Sequence, residues 1–196
     1  ENALPLVTPS LDIVRAFNPQ RDLQAYPGSP LIARALLRPQ DRLTACEVEP
    51  KARKRLIEAL RRDTQARVVD LDGWMALPAF VPPNERRGLV LIDPPFEQKD
   101  EFERLAEGFA EAFAKWPTGS YLLWYPVKSR RATDGLARHV AEVAGAGKPA
   151  GKCRLSCHAD MAARKKARCV SMPPSTVPAK LAMSRWKLSV LLRSLS

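Results

Sequence analysis

The chain has 196 residues and a mass of 21.8 kDa, with 45% hydrophobic and 27% charged residues, which suits one folded domain around one core. No apolar run approaches the roughly 18 residues that cross a bilayer, and four irregularly spaced cysteines do not make a secreted disulfide scaffold. The balance of 32 basic and 21 acidic residues, net +11, points to a polyanionic partner.

That charge is unevenly placed. Residues 149–196 hold ten basic residues and one acid, Asp160, for a net +9, so residues 1–148 carry only +2. Three of the four cysteines, Cys153, Cys157 and Cys169, also lie after residue 148. The chain starts at Glu1 with no apolar segment following, so no signal peptide is expected and the cytoplasm is the expected location.

In chain order, Ser29-Pro30 reads as a helix start, with Ser29 as N-cap and Pro30 in the first turn. The helix carries Leu31, Ile32, Ala35 and Leu36 and stops before Pro39. A short strand is predicted over 42–47, ending at Glu47. A helix over 51–62 places Ala52, Leu56 and Leu60 at i, i+4 and i+8 with basic residues between them. A second strand covers 66–71, and a loop containing Pro78 and Pro82-Pro83 follows. Residues 88–92, Gly-Leu-Val-Leu-Ile, read as a strand buried on both faces. Residues 100–115 form an amphipathic helix with Phe102, Leu105, Phe109 and Phe113 on one side. A strand over 120–124 and a helix over 130–144 complete the patterned part. Beyond it, only 183–195 reads as a short basic helix, and the rest of 149–196 is expected to be disordered or loosely attached.

This alternation predicts an α/β fold, a mostly parallel sheet covered by helices. Ligands then bind beyond the carboxyl ends of the strands, which are Glu47, Asp72-Gly73, Asp93 and Trp124-Tyr125-Pro126.

The sharpest of these ends is Asp93-Pro94-Pro95-Phe96. Two prolines after a buried strand make a rigid corner and remove two N–H donors. The Asp93 carboxylate and the Pro94 carbonyl then supply two acceptors, matching the two hydrogens of an exocyclic amine. Phe96 offers a flat face for a planar ring. The lone pair of adenine N6 is delocalised into its ring, so hydrogen bonds that favour a more tetrahedral nitrogen make it a better nucleophile. A base within folded RNA or a duplex must first be extruded to reach such a corner. Glu47, ending the second strand of a Rossmann-like unit, suits ribose hydroxyls, against the simpler reading of a solvated charge beside Glu49. Asp72-Gly73 suits an adenine amine and a close ring approach, against the simpler reading of a turn.

The segments Tyr26-Pro27-Gly28-Ser29-Pro30-Leu31-Ile32-Ala33-Arg34, the Glu47 strand end, Ala66-Arg67-Val68 through Asp72-Gly73, Arg86 through Phe96, and Leu123-Trp124-Tyr125-Pro126-Val127 occur in this order. In this arrangement the chain resembles the RlmJ-type enzymes, bacterial adenine-N6 methyltransferases of 23S ribosomal RNA, over about residues 10 to 148. The resemblance implies a Rossmann-like class I fold, S-adenosylmethionine as methyl donor and 23S ribosomal RNA as partner, with no metal and no obligate protein partner. It implies that Ser29, Glu47, Asp72 and Gly73 contact S-adenosylmethionine, and that Asp93, Pro94 and Phe96 form the catalytic corner. The family usually has Tyr at the position of Phe96, so stacking is kept and a hydroxyl is lost.

The chain departs from the family at both ends. The first strand and its glycine-rich loop are expected to be lacking, with residues 1–25 a remnant of a helical insertion and 26–148 a partial methyltransferase core. That first strand would lie between the strands ending at Glu47 and Asp93, so either a gap or direct pairing of those strands is expected. Residues 149–196 form a basic divergent tail with the composition of a shifted reading frame. Gly145-Ala146-Gly147-Lys148 follows a helix and lacks the spacing of a phosphate-binding loop. Cys153, Cys157, His158 and Cys169 have zinc-ligand chemistry, but adjacent Cys157 and His158 suit one tetrahedral site poorly. Two further readings stand beside ribosomal RNA methylation: a DNA adenine-N6 methyltransferase, served by the same corner, and a non-catalytic nucleic-acid-binding fragment acting through the basic tail.

Overall fold

The computed structural model describes residues 4–20, 22–84, 87–126 and 129–145, and the backbone of 191–194. Its elements are helices α1 (Leu4–Ala16) and α2 (Ser29–Leu36), strand β1 (Leu43–Cys46), helix α3 (Pro50–Leu60), strand β2 (Ala66–Val69), helix α4 (Gly73–Phe80), strand β3 (Gly88–Ile92), helix α5 (Glu101–Lys115), strand β4 (Ser120–Leu123), helix α6 (Arg130–Val143) and strand β5 (Leu191–Ser194).

One five-stranded sheet runs in the order β2-β1-β5-β3-β4. The pairs β1–β2 and β3–β4 are parallel, in the registers Leu43↔Ala66 and Ile92↔Leu123. Strand β5 is antiparallel to both of its neighbours, β1 and β3. The two parallel pairs therefore point the same way, and four strand carboxyl ends share one edge of the sheet. Neither the gap nor the direct β1–β3 pairing expected from the sequence is present. The slot is filled by residues 191–194, part of the stretch expected to be helical. Two facing strand edges offer unpaired N–H and C=O groups on both sides, and a strand laid between them satisfies both rows. The remainder of the predicted 183–195 helix lies outside the described residues.

A second departure is α4, which replaces part of the predicted proline loop. Asp72 caps it, its carboxylate accepting the Trp74 N–H at 2.8 Å. Pro78 sits two residues from the last helical residue, so it removes only one intrahelical bond, and the Val81 N–H still reaches the Leu77 carbonyl at 3.1 Å. Burial compensates, because Ala76 and Leu77 lie in the core. Gly108 on α5 admits that packing: a Cβ there would stand 3.3 Å from both Leu77 and Trp74 side-chain atoms.

Helix α2 is capped differently from the expectation. The N-cap is Gly28, extended at φ −70° and ψ 171°, with no side-chain cap bond. Its carbonyl accepts the N–H groups of Leu31 and Ile32 at 3.0 and 3.1 Å. Ser29 is thus the first helical residue. Helix α3 is better anchored, since the Glu49 carboxylate accepts both the Lys51 and Ala52 N–H groups.

Two apolar layers cover the sheet. Ala45, Leu56 and Leu60 pack with Leu31, Ala66 and Val68 beneath α2 and α3. The larger layer joins Val90, Ile92, Ala76, Leu77, Leu105, Phe109, Trp116, Leu136 and Val140 beneath α4, α5 and α6. Polar cross-links brace the far end of the first layer. Buried Asp41 takes the Arg38 guanidinium at 2.9 and 3.2 Å, and the Gln65 amide donates to the Asp41 carbonyl at 2.9 Å.

The exit from α1 depends on one side chain. Asn18, 8% exposed, donates to the carbonyls of Val14 and Ala25 and accepts from the N–H groups of Gln24 and Ala25, all at 2.7–2.8 Å. Removing the amide leaves buried backbone groups without partners. Asn18→Ala is therefore expected to cost about 2–3 kcal/mol, read as a lower urea midpoint at unchanged slope.

Candidate active site at the carboxyl edge of the sheet

The shared edge gathers Glu47 after β1, Asp72 after β2, Asp93 after β3 and Trp124 after β4. Asp93 leaves β3 directly from buried Ile92. Burial pushes its carboxyl up to about 6, from an ordinary value of 3.8. Pro94 is fully buried, and Phe96 holds a left-handed φ of 52° that side chains rarely adopt. Glu101, 3% exposed at the start of α5, accepts the Gln98 N–H at 3.1 Å and ties down the far side of the corner. The corner is thus held by a buried proline, a constrained aromatic backbone and a helix-start carboxylate.

Phe96 does not present the open face read from the sequence. It is 5% exposed and belongs to the large core layer. Its ring centroid lies 4.9 Å from that of Phe102 and 6.2 Å from that of Trp124, tilted at 55° and 56°. Phe102 in turn meets Tyr125 edge-on at 6.3 Å. A ring that packs against Phe102 of the helix beginning five residues later is drawn inward, because covering it removes a large apolar area from water.

Trp124, which the sequence marks only as part of a strand end with no role of its own, is the exposed ring at this edge. Its N–H donates to the Ile92 carbonyl at 2.9 Å, extending the β3–β4 ladder by one residue and setting Trp124 level with Asp93. Along β4 the side chains alternate in exposure, and Trp124 is 46% exposed. The signal was the outward phase of a half-buried edge strand, which needs the register to be read.

Glu47 stands where the sequence placed it, but covered. It is 1% exposed, and its carboxylate accepts the Glu49 N–H at 2.8 Å while its own N–H donates to the Val69 carbonyl at 3.1 Å. Asp72 is occupied as the cap of α4, with buried Gly73 as the first residue of that helix. Ser29 is partly buried at the start of α2. The neighbouring Cys46 is an unreactive core thiol, since burial pushes it up to about 11 despite the opposing charge of Arg67.

A cleft of about 530 Å³ opens away from this edge. It lies between the starts of β1 and β2 and residues 79–84, with Arg42, Thr44, Arg67 and Phe80 among its lining. None of the predicted site residues lines it. Among the described residues no group of three or more His, Cys, Asp and Glu could hold a metal ion, and no helix is long and apolar enough to cross a membrane. Cys153, Cys157, His158 and Cys169 lie outside the described residues.

Fold and edge together define an α/β protein whose parallel strand pairs bring acidic residues and an aromatic cluster to one carboxyl edge. A family model described as "Ribosomal RNA large subunit methyltransferase D, RlmJ" matches residues 2–167, and the chain belongs to this family. The match continues past Lys148, where the resemblance read from the sequence ends. Ribosomal RNA large subunit methyltransferase J of Escherichia coli is 46% identical over 121 residues, 62% of this chain and 43% of the relative. The protein of the same description from Haemophilus influenzae is 42% identical over 116 residues, 59% of this chain and 41% of the relative. A crystal structure of a Legionella pneumophila protein titled with the family label DUF519 is 35% identical with a TM-score of 0.66, covering 70% of this chain and 52% of that one. The chain thus matches less than half the length of these curated relatives.

Proposed function

We propose that this chain carries the acceptor half of a cytoplasmic methyltransferase with a Rossmann-like class I fold, which transfers a methyl group from S-adenosylmethionine to adenine N6 in 23S ribosomal RNA. The observation that carries this reading is Asp93 at the end of a buried strand, braced by buried Pro94 and the left-handed backbone of Phe96. A carboxylate held there accepts a hydrogen of the adenine amine without moving, so orientation is set before the base arrives. The Pro94 carbonyl is the second acceptor of the proposal. The family relatives, named for methylation of the large-subunit ribosomal RNA, support the substrate class.

The donor half is another matter. S-adenosylmethionine supplies an electrophilic methyl group when bound. Of the residues implied for it, Glu47 is covered and Asp72 is engaged as a helix cap. Strand β5 fills the sheet between β1 and β3. For S-adenosylmethionine to be held there, Glu47 would have to be uncovered and Asp72 would have to share its capping carboxylate. The 196-residue chain is therefore expected to show little transfer.

A transfer assay with labelled S-adenosylmethionine on deproteinised ribosomal RNA and on duplex DNA tests the reading. The expected result is label in ribosomal RNA from a chain lengthened towards the full length of its relatives, and little from the 196 residues alone. Full transfer by the 196-residue chain would overturn the account of the donor half. Label in DNA but not in ribosomal RNA would favour a DNA methyltransferase. RNA binding without transfer by the lengthened chain would leave the non-catalytic reading.

A further inference from the structure

We propose that the cleft between the starts of β1 and β2 and residues 79–84 is a second RNA contact, which takes a nucleoside phosphate with its ring on the Arg67 guanidinium and its phosphate at Arg42. The cleft lies at the amino edge of the sheet, one length of β1 or about 13 Å from the edge that carries Asp93. Its volume of about 530 Å³ is of the size that holds a small ligand. Its described lining includes two arginines and no acid. The acids closest in sequence are already engaged, Asp41 by Arg38 and Asp63 by Arg34. Arg42 and Arg67 are exposed, and among the described residues neither enters an ion pair. Two uncompensated guanidinium groups lining one concavity focus positive potential there. Arg67 is also held in place. Its Cζ lies 5.3 Å from the centroid of the Phe80 ring, and its Nη2 donates to the hydroxyl of buried Thr44 at 3.3 Å. One face of the guanidinium is thus set against Phe80, and the other is left for a second flat group. Guanidinium planes stack on nucleobases, and a side chain already positioned loses little freedom on binding. Arg42 stands two residues before Thr44, the spacing that shares one face of an extended chain, and its forked donors suit a phosphate. The Thr64 hydroxyl and the exposed Asn84 amide add uncharged groups for sugar and base edges. The choice of an RNA strand over a free nucleotide rests on the proposed ribosomal RNA substrate, whereas the chemistry of the cleft does not.

The test is binding by the 196-residue chain of a single-stranded hexauridylate RNA with a fluorescent end label, at about 200 mM salt, where loosely held phosphate contacts are weakened. Arg67→Ala is expected to weaken binding about 5- to 100-fold, the range for one stacked base. Arg67→Lys keeps the charge without the plane and is expected to lose most of the same affinity, which a purely electrostatic role would not. Arg42→Ala is expected to weaken binding and to lower the slope of log affinity against log salt by about 0.7, the share of one phosphate contact on a single strand. Arg138→Ala, an exposed position on α6, removes the same charge elsewhere and should bind as the parent does. Thermal melts show whether each variant keeps the fold. If an Arg67 variant melts early, Arg42→Ala carries the test, since Arg42 is exposed and in no ion pair among the described residues. Parent-like binding by Arg42→Ala or by a folded Arg67→Ala, an equal loss in Arg138→Ala, or no binding of the RNA by the parent overturns the proposal. Uridine 5′-monophosphate as competitor separates the two sources. Displacement much weaker than that by unlabelled hexauridylate supports the strand, and displacement as strong, mole for mole, makes the cleft a free-nucleotide site and removes the RNA contact. None of the predicted site residues lines this cleft, so these outcomes are separate from those of the transfer assay, which decides the acceptor reading.

Discussion

Asp93→Asn is expected to abolish methyl transfer in a lengthened, active chain and at the same time to stabilise the fold. The loss of activity follows from the acceptor role. An amide at this place offers one oxygen and a competing NH2 group, so it repels the amine hydrogens from half of its rotamers. Loss of one preorganised polar contact to the reacting group costs about 100-fold or more in rate. The gain in stability follows from burial. Asp93 has its carboxyl held at about 6 in the fold, against 3.8 ordinarily. The folded state binds the proton more tightly than the unfolded chain does. The stability from that proton is therefore fully present below about pH 4, and it is lost as pH rises through about 6. At pH 7 the ion sits partly desolvated in the native state. Removing its charge should return about 1–2 kcal/mol, after allowing for solvent screening of a group that is not fully buried. The melting temperature should rise by about 2–6 °C. Transfer by the parent should increase with pH around a midpoint of about 6, as the carboxylate form appears. If Asp93→Asn is inactive but less stable, Asp93 belongs to an ion pair and not to a desolvated acceptor site.

Leu192→Pro is expected to have the largest effect on stability of any single change in the sheet. Residue 192 pairs with Thr44 on one side and Val90 on the other, in the strand that joins the two parallel pairs. Proline there removes a ladder donor and forces a ring against a neighbouring strand, which central strands do not tolerate. The cost is put at about 3 kcal/mol or more, because buried backbone acceptors on both neighbours lose partners as the strand leaves. That is a large part of the total stability of a domain this size. Urea unfolding would show a fall in midpoint, and circular dichroism would show whether the β1–β2 and β3–β4 pairs separate. Met75→Ala, at a 65% exposed position on α4, should change stability by less than about 0.5 kcal/mol. An unchanged midpoint for Leu192→Pro would mean that β1 and β3 hold together without β5.

Much of the frame was legible from local pattern. The β3 strand was read from its unbroken apolar run, and β1, β2, β4, α3, α5 and α6 fell within a few residues of their predicted spans because period and punctuation agreed. Helix α4 was missed because Pro78 reads locally as a breaker, whereas the burial of Ala76 and Leu77 against α5 outweighs one lost bond. Ser29 was read as the cap of α2 on composition, but an extended Gly28 meets the same need through its carbonyl.

The rest was decided by contacts between distant parts of the chain. The order of residues from Leu89 to Phe96 dictates a buried strand ending in an acid and two prolines, since each of those properties belongs to the residues themselves. Whether Phe96 faces solvent, whether Glu47 is open, and whether Trp124 stands beside Asp93 depend on sheet register and on α5 closing over the corner. Strand β5 is the clearest case. Leu191–Ser194 has no compelling strand signal of its own, and becomes one because β1 and β3 present hydrogen-bonding edges that local pattern cannot reveal.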